Sequence, residues 1–381
     1  MSLDDLPTPA LILDLDRVVR NCDRMIRRAA ELGVQLRPHM KTAKSADVAR
    51  LATRDRSSGI TVSTVTEVEY FARTGFRDIT YAVGIAGHKM PPLAALQRRY
   101  GVRIKLLADS VAAVADMSRH AAALDEKFEV LLEIDSGGGR GGVSADGPEL
   151  LALSHAVQRS PSLSLAGVLT HAGQSYDAGS IQAIRAIAED ERAAVTLAAS
   201  RLRAEGIEVA VVSVGSTPTA LHAASLSGVT EMRPGVYTLF DLAQVALGSC
   251  TVDDIAVSVL ATVIGHNPRS ERILIDAGAL ALSKDLSGNT RTTRVGYGLL
   301  WPKTGGGPLD RLYVASVHQE HGLVAGSQPF DELARDYPIG TRVRVIPNHA
   351  CLTVAPYDRY HVVRGQDACV LGAWPKLTGW S

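Results

Sequence analysis

Residues 36–45 read LRPHMKTAKS, a stretch that begins as a strand and stops just before a helical pattern opening at Ala46. Strand alternation places Arg37, His39 and Lys41 on one side. The stretch belongs to a repeating unit. A glycine able to end a helix is followed by two to four residues, a short apolar run, and a polar residue where the next helix opens. Gly33 precedes VQLRPHMK, Gly75 precedes DITYAV, Gly101 precedes RIKLLAD and Gly206 precedes VAVVSVG. Further strands are expected at 59–64 (GITVST), 128–135 (FEVLLEID), 165–171 (LAGVLTH) and 229–237 (VTEMRPGVY), making eight.

These runs are apolar and β-branched along their length, as parallel strands buried on both faces are. Helical patterns lie between them at 45–52, 66–74, 91–100, 110–124, 148–157 and 181–203, after a first one at 16–32. Eight such units over about 230 residues indicate a closed (β/α)8 barrel, expected over residues 10–241. An open doubly wound sheet would bring a GxGxxG turn after its first strand, and none stands there. After Asp241 the texture changes to short β-rich runs: IAVSVLATVIG, RILIDAG, LYVASVHQEHGLV, TRVRVIPN and HVVRGQDACVLG. Turns at 266–270, 283–290 and 303–308 separate them, so residues 242–381, joined by 1–9, are expected to form a mostly antiparallel β domain. Its segment 283–310 reads as a surface loop or part of a dimer contact.

The chain has 381 residues, 46% of them hydrophobic, with 40 Lys plus Arg against 40 Asp plus Glu. Such a balance gives no field to attract nucleic acid or an anionic membrane, and points to small-molecule partners. No apolar run reaches the roughly 18 residues of a membrane span. Residues 1–13 lack the basic start and apolar centre of a signal peptide, so a cytoplasmic location is expected. Cys22, Cys250, Cys351 and Cys369 make no disulfide framework, which agrees with a reducing compartment.

In such a barrel the carboxyl ends of the strands form the reactive mouth. Lys41, Thr64, Arg140, His171, Gly215, Ser216 and Arg233 fall there. A lysine beside a histidine and an arginine can hold a carbonyl as a Schiff base, which is what a pyridoxal phosphate enzyme requires. VGSTPT at 214–219 offers backbone N–H groups and hydroxyls to a phosphate, or is a plain helix cap at Ser216 or Thr217. Gly235 in RPGVY can bring N–H to the same phosphate or serve an ordinary turn. SGGGRGG at 136–142 surrounds Arg140 with five glycines and is a ligand loop or a flexible one. In VRVIPNHAC, His349 and Cys351 stand two apart on an expected strand, as a zinc pair with open positions or as structural residues.

RPHMKTAK, EIDSGGGRGGV, HAGQSY, VGSTPT, EMRPGVYTLFDLAQVALGSC and IPNHAC occur in this order. Together they resemble the zinc- and pyridoxal phosphate-dependent D-serine dehydratases of the alanine-racemase-like fold, relatives of the D-threonine aldolases and D-threo-3-hydroxyaspartate dehydratases. The resemblance implies Lys41 as the Schiff-base lysine and His349 and Cys351 as ligands of Zn2+ or another divalent metal. It implies a phosphate cradle of Gly215, Ser216, Thr217, Gly235 and Val236, with Tyr176 by the substrate. By looser similarity to alanine racemase, Arg140 contacts the phenolic oxygen of the cofactor and Arg233 its ring nitrogen. Ala43 stands where the family commonly has a histidine, a departure that removes an imidazole expected to reach the cofactor.

The implied reaction is β-elimination on a D-3-hydroxy amino acid, D-serine to pyruvate and ammonia. Lys41 takes the Cα proton and the metal assists hydroxide departure. The alternatives are dehydration of D-threo-3-hydroxyaspartate and retro-aldol cleavage to glycine and an aldehyde, with His171 or His321 as the base deciding between elimination and cleavage. Racemisation gives the metal pair no role. A non-catalytic pyridoxal phosphate carrier leaves the second domain unexplained. A homodimer is implied, with the second domain of one chain over the barrel mouth of the other.

Overall fold

The structure, a computed structural model, describes residues 1–54, 59–290, 293–304, 309, 312–365 and 367–380. In chain order the first ten strands are β1 Ala10–Asp14, β2 Gln35–Leu36, β3 Ile60–Val62, β4 Asp78–Gly84, β5 Arg103–Ala108, β6 Phe128–Asp135, β7 Val143–Ser144, β8 Leu163–Leu169, β9 Val211–Val214 and β10 Glu231–Met232. Eight of them pair in parallel in the order β2-β10-β9-β8-β6-β5-β4-β3, and β7 adds to β6. The ring closes between β2 and β3. His39 bridges Thr61, with Met40 N donating to Thr61 O at 2.8 Å and Thr61 N to Pro38 O at 2.9 Å. The (β/α)8 barrel expected from the sequence is therefore present.

Helices between these strands start on polar caps, each supplying one oxygen to an otherwise orphaned N–H. Asp14, Thr64, Ser110, Ser180 and Ser216 each accept from the N–H three residues on. The four glycines of the repeated unit have φ of +69°, +108°, +61° and +72° at Gly33, Gly75, Gly101 and Gly206. Nothing lies within 4 Å of a Cβ added at any of them, so conformation and not space requires glycine there.

The remaining strands are β11 Val257–Asn267, β12 Arg272–Ile275, β13 Leu299–Pro302, β14 Tyr313–Val317, β15 Gly322–Ala325, β16 Arg342–Ile346, β17 Arg359–Val363 and β18 Gly372–Pro375. They form a second sheet, β12-β15-β14-β13-β16-β11-β1-β17-β18, in which β12 also pairs with β11 and closes a smaller ring. Its pairings are antiparallel apart from β1 with β17. The expectation that the barrel starts at residue 10 is corrected here. β1 hydrogen-bonds to β11 and β17 and so belongs to the second sheet, and the barrel's share of the chain starts at the helix Leu15–Glu31. The expected turn at 303–308 lies largely outside the described residues. Among them no helix is long and apolar enough to cross a membrane.

Two expected strands are shorter than read. β2 ends at Leu36, and Lys41 sits in the turn beyond the His39 bridge. β10 ends at Met232 because Pro234 has no N–H to continue a ladder. Arg37 does not share a surface with Lys41. Its Nε donates to Glu231 Oε2 at 2.7 Å and its two Nη atoms to Asp78 at 3.0 and 3.1 Å, deep in the barrel. Lys105 Nζ also donates to Asp78, at 2.7 Å. Burial would raise the Asp78 pKa, but Arg37 and Lys105 outweigh it and hold it at about 2. Arg37→Ala removes one side of a buried network and should destabilise the fold by about 3–5 kcal/mol. A lowered denaturant midpoint at unchanged slope is the expected reading.

Candidate active site

The barrel mouth and the second domain enclose one cavity of about 990 Å3. Lys41, Arg140, His171, Tyr176, Ser216, Arg233, Gly235 and Val236 line it from the barrel, and Asp285, His349 and Cys351 from the second domain. Thr42 joins the two sides: its Oγ1 lies 3.0 Å from Cys351 Sγ, one residue after the lysine. A smaller adjoining cavity of about 380 Å3 runs toward Ser63, Asp109 and Glu133, past Lys41 and Arg140.

Within the mouth, His171 Nδ1 hydrogen-bonds the Gly215 carbonyl oxygen, so this nitrogen carries the proton and Nε2 keeps its lone pair. Burial, reinforced by Lys41, lowers the His171 pKa to about 3. His39 is likewise held neutral, chiefly by burial, and its Nδ1 lies 3.3 Å from the Lys41 N–H. Arg233 is 5% exposed. Its guanidinium is fixed by Ser213 Oγ, by Val214 O at 3.2 Å and by Thr170 O at 2.6 Å. Arg140 is the opposite case, with 67% of its side chain exposed and its nearest acid, Glu133, 3.8 Å away.

Of the expected cradle, the N–H groups of Ser216, Gly235 and Val236 donate to no acceptor found among the described residues. The hydroxyl of Thr217 is buried without a partner. An added Cβ at Gly235 would lie 2.6 Å from His39 O, so only glycine lets this turn approach the lysine loop. These free donors fit a phosphate. Two expectations are corrected. Gly215 cannot offer its N–H, which already donates to Glu191 at 3.0 Å. The Ser216 hydroxyl is engaged by the Thr219 N–H and by Ser175 and Thr219 hydroxyls, leaving its backbone N–H for a ligand. Tyr176 is 39% exposed in the wall of the same cavity, beside the cradle residue Ser216.

His349 and Cys351 stand at the turn from β16 into the helix Ala350–Val354, not on one strand as expected, and their side chains still meet. His349 Nδ1 pairs with Asp285 Oδ2 at 2.8 Å. Burial opposes charge on this imidazole, but Cys351, Asp241 and Asp285 outweigh it and raise its pKa to about 10. A nitrogen and a sulfur donor, with a carboxylate orienting the ring, fit a divalent metal with open coordination positions. No group of three or more His, Cys, Asp or Glu arranged for a metal occurs among the described residues. His321 is exposed in the turn between β14 and β15 and does not line the cavity, so of the two histidines considered as bases only His171 reaches it. Ala43 is fully buried and also off the cavity, so a side chain there would enter the core.

Three acids went unread in the sequence. Asp285 lies in a Ser/Gly-rich loop with no pattern to betray it. Asp241 caps the helix Leu242–Ala246 through Gln244 N at 2.9 Å and takes Ala350 N at 2.8 Å, joining the barrel to the segment of His349 and Cys351. Glu191 occupies the buried stripe of the helix Ile181–Ala204, where an acid among apolar positions was a visible signal.

A lysine-bearing barrel mouth facing a His and Cys pair on a β domain defines the class, and comparison with known proteins gives the family. The family description "Alanine racemase, N-terminal domain" matches residues 13–242, and "Putative serine dehydratase domain" matches 256–363. The chain belongs to the family of the alanine racemase N-terminal domain. It is 44% identical over 377 residues to a D-threo-3-hydroxyaspartate dehydratase of Delftia sp., covering 98% of each. A D-serine dehydratase of Dictyostelium discoideum is 32% identical over 391 residues, 97% of this chain and 96% of that one. The solved Delftia enzyme superposes with a TM-score of 0.94 over 100% of both chains at 44% identity. A cysteine-to-alanine mutant of a D-threo-3-hydroxyaspartate dehydratase, solved in the metal-free form, gives the same TM-score of 0.94 at 43% identity, with 100% of both chains covered.

The neutral His171 carries a pH consequence. Its pKa is depressed in the fold, from 6.5 to about 3, so the unfolded chain binds the extra proton within that window. Its contribution is complete above the unfolded value and is lost as pH falls toward 3. Urea unfolding across this range should show wild type losing stability on acidification more steeply than His171→Gln.

Proposed function

We propose that this chain is a pyridoxal phosphate- and metal-dependent lyase that removes water from a D-3-hydroxy amino acid, D-serine or D-threo-3-hydroxyaspartate. The products are a keto acid and ammonia. The observation that carries this reading is the 3.0 Å contact between Cys351 Sγ and Thr42 Oγ1, which brings the metal pair beside Lys41 in one cavity. The dehydratase names of the relatives at 44% and 32% identity support it. The working enzyme is proposed to be a cytoplasmic homodimer.

Pyridoxal phosphate supplies an electron sink for a carbanion at Cα, and a divalent metal polarises the β-hydroxyl so that it departs as a better leaving group. The protein's part is to place groups around that carbon. Lys41 Nζ would hold the cofactor's carbonyl carbon, and its amine is the group placed to accept the Cα proton. Ser216, Gly235 and Val236 N–H groups anchor the phosphate. Arg233, fixed by two carbonyls and a hydroxyl, would offer the ring nitrogen a donor and no transferable proton. Such a pairing would leave the ring uncharged and its sink weaker, so assistance at the leaving oxygen would matter more. His349 and Cys351 would hold the metal that gives this assistance, and Asp285 fixes the imidazole orientation. His171 Nε2 stays an acceptor in the same cavity.

Lys41→Ala should lose the visible absorbance of bound pyridoxal phosphate and roughly a thousandfold in turnover. A chelator, or Cys351→Ala, should abolish keto acid release and leave that absorbance in place. Keto acid production that survives metal removal would overturn the metal role. Product analysis with D-serine, D-threonine and D-threo-3-hydroxyaspartate should return keto acids; glycine would instead identify carbon–carbon cleavage.

A further inference from the structure

The helix Ile181–Ala204 buries Ile184, Ala188, Glu191, Val195, Ala198 and Leu202 on one stripe, and one member is an acid. Glu191 is 1% exposed. Burial raises its pKa, opposed first by its hydrogen bonds and last by the charge of Arg233. A carboxylate buried with no ion pair in contact is costly, and an apolar residue would fill the stripe better, so its value lies in the bonds it accepts.

Those bonds converge on the site. Glu191 Oε1 accepts from Ala172 N at 2.9 Å and from Gly215 N at 3.0 Å, and Oε2 accepts from Thr219 Oγ1 at 2.8 Å. Ala172 follows His171 in the loop after β8, and Gly215 begins the loop after β9. The Gly215 carbonyl then receives His171 Nδ1, closing a circuit of His171, Ala172, Glu191 and Gly215. A single oxygen thus sets the distance between the loop that carries the histidine and the loop that carries the phosphate-facing N–H groups.

We infer that Glu191 is a positioning residue whose Oε1 fixes the spacing of these two loops and thereby the affinity for the cofactor's phosphate. This rests on the lyase reading above. Two conservative variants separate reach from charge. Glu191→Gln keeps an oxygen at the same reach without the charge, and Glu191→Asp keeps the charge but draws it back by one methylene.

Titrating the purified apo protein with pyridoxal phosphate, followed by visible absorbance, measures the dissociation constant of each without turnover. Glu191→Gln should bind within about threefold of wild type and Glu191→Asp about tenfold more weakly, the scale of one lost buried hydrogen bond. A merely structural role would lower the melting temperature of both variants and leave the dissociation constants alone. Uptake by wild type that Glu191→Asp equals, or Glu191→Gln as weak as Glu191→Asp, overturns this inference and leaves the lyase reading standing. No uptake by wild type overturns both.

Discussion

Three consecutive residues after Lys41 are each bonded to the second domain, and the geometry of the site depends on this seam. Thr42 Oγ1 meets Cys351 Sγ at 3.0 Å, Ala43 O accepts from Tyr360 OH at 2.7 Å, and Lys44 O accepts from Leu377 N at 3.0 Å. Lys44 has a φ of +49°, which turns the chain out of the mouth, and its ammonium reaches Glu67 at 3.2 Å and the Gly379 carbonyl. Because Tyr360 and Glu67 are buried and the other partners partly so, shifting the lysine turn relative to the β domain would strand several polar groups at once. The lysine amine and the His349–Cys351 pair are thus held in register by the protein itself.

Beneath that seam the barrel is closed by few hydrogen bonds and by charge. β2 and β10 each contribute two residues, too little ladder to hold a ring by itself. Arg37, Glu231, Asp78 and Lys105 supply cross-strand bonds at the same level, linking β2's end to β10, β4 and β5. Such a network is weak evidence for net stability, since an apolar layer would serve, but it is intolerant of losing one member. It also leaves the upper layer, with His39, His171 and Arg233, free to be polar and neutral or single-sided in charge.

Electrostatics divide the cavity. On the barrel side, burial and the neighbouring cations keep two histidines uncharged, and the His39 Nδ1 lone pair meets the Lys41 N–H. On the β-domain side, acids gather around His349, and Asp241, buried with its pKa raised by desolvation to about 6, links the two halves. The proposed elimination needs a base on one side and leaving-group assistance on the other, and the two environments would suit those tasks.

By itself the sequence determined the eight barrel strands, the helices between them, the change to β structure after Asp241, and the residues at the mouth. Apolar periodicity and glycines at positive φ are local consequences of burial and backbone sterics, and they survive in one dimension. Lys41, His349 and Cys351 were legible through their chemistry and their motifs. Only the tertiary structure decided that β1 joins the second sheet, that Arg37 and Lys41 part company, that the Gly215 N–H is already taken, and that Glu191, Asp241 and Asp285 support the site. Each of these depends on a hydrogen-bond partner distant in the chain, from 19 residues for Glu191 and Ala172 to 194 for Arg37 and Glu231, and further still for β1 with β11 and β17. A side chain's type states what it can bond, but which group arrives opposite it is set by how the strands and loops pack.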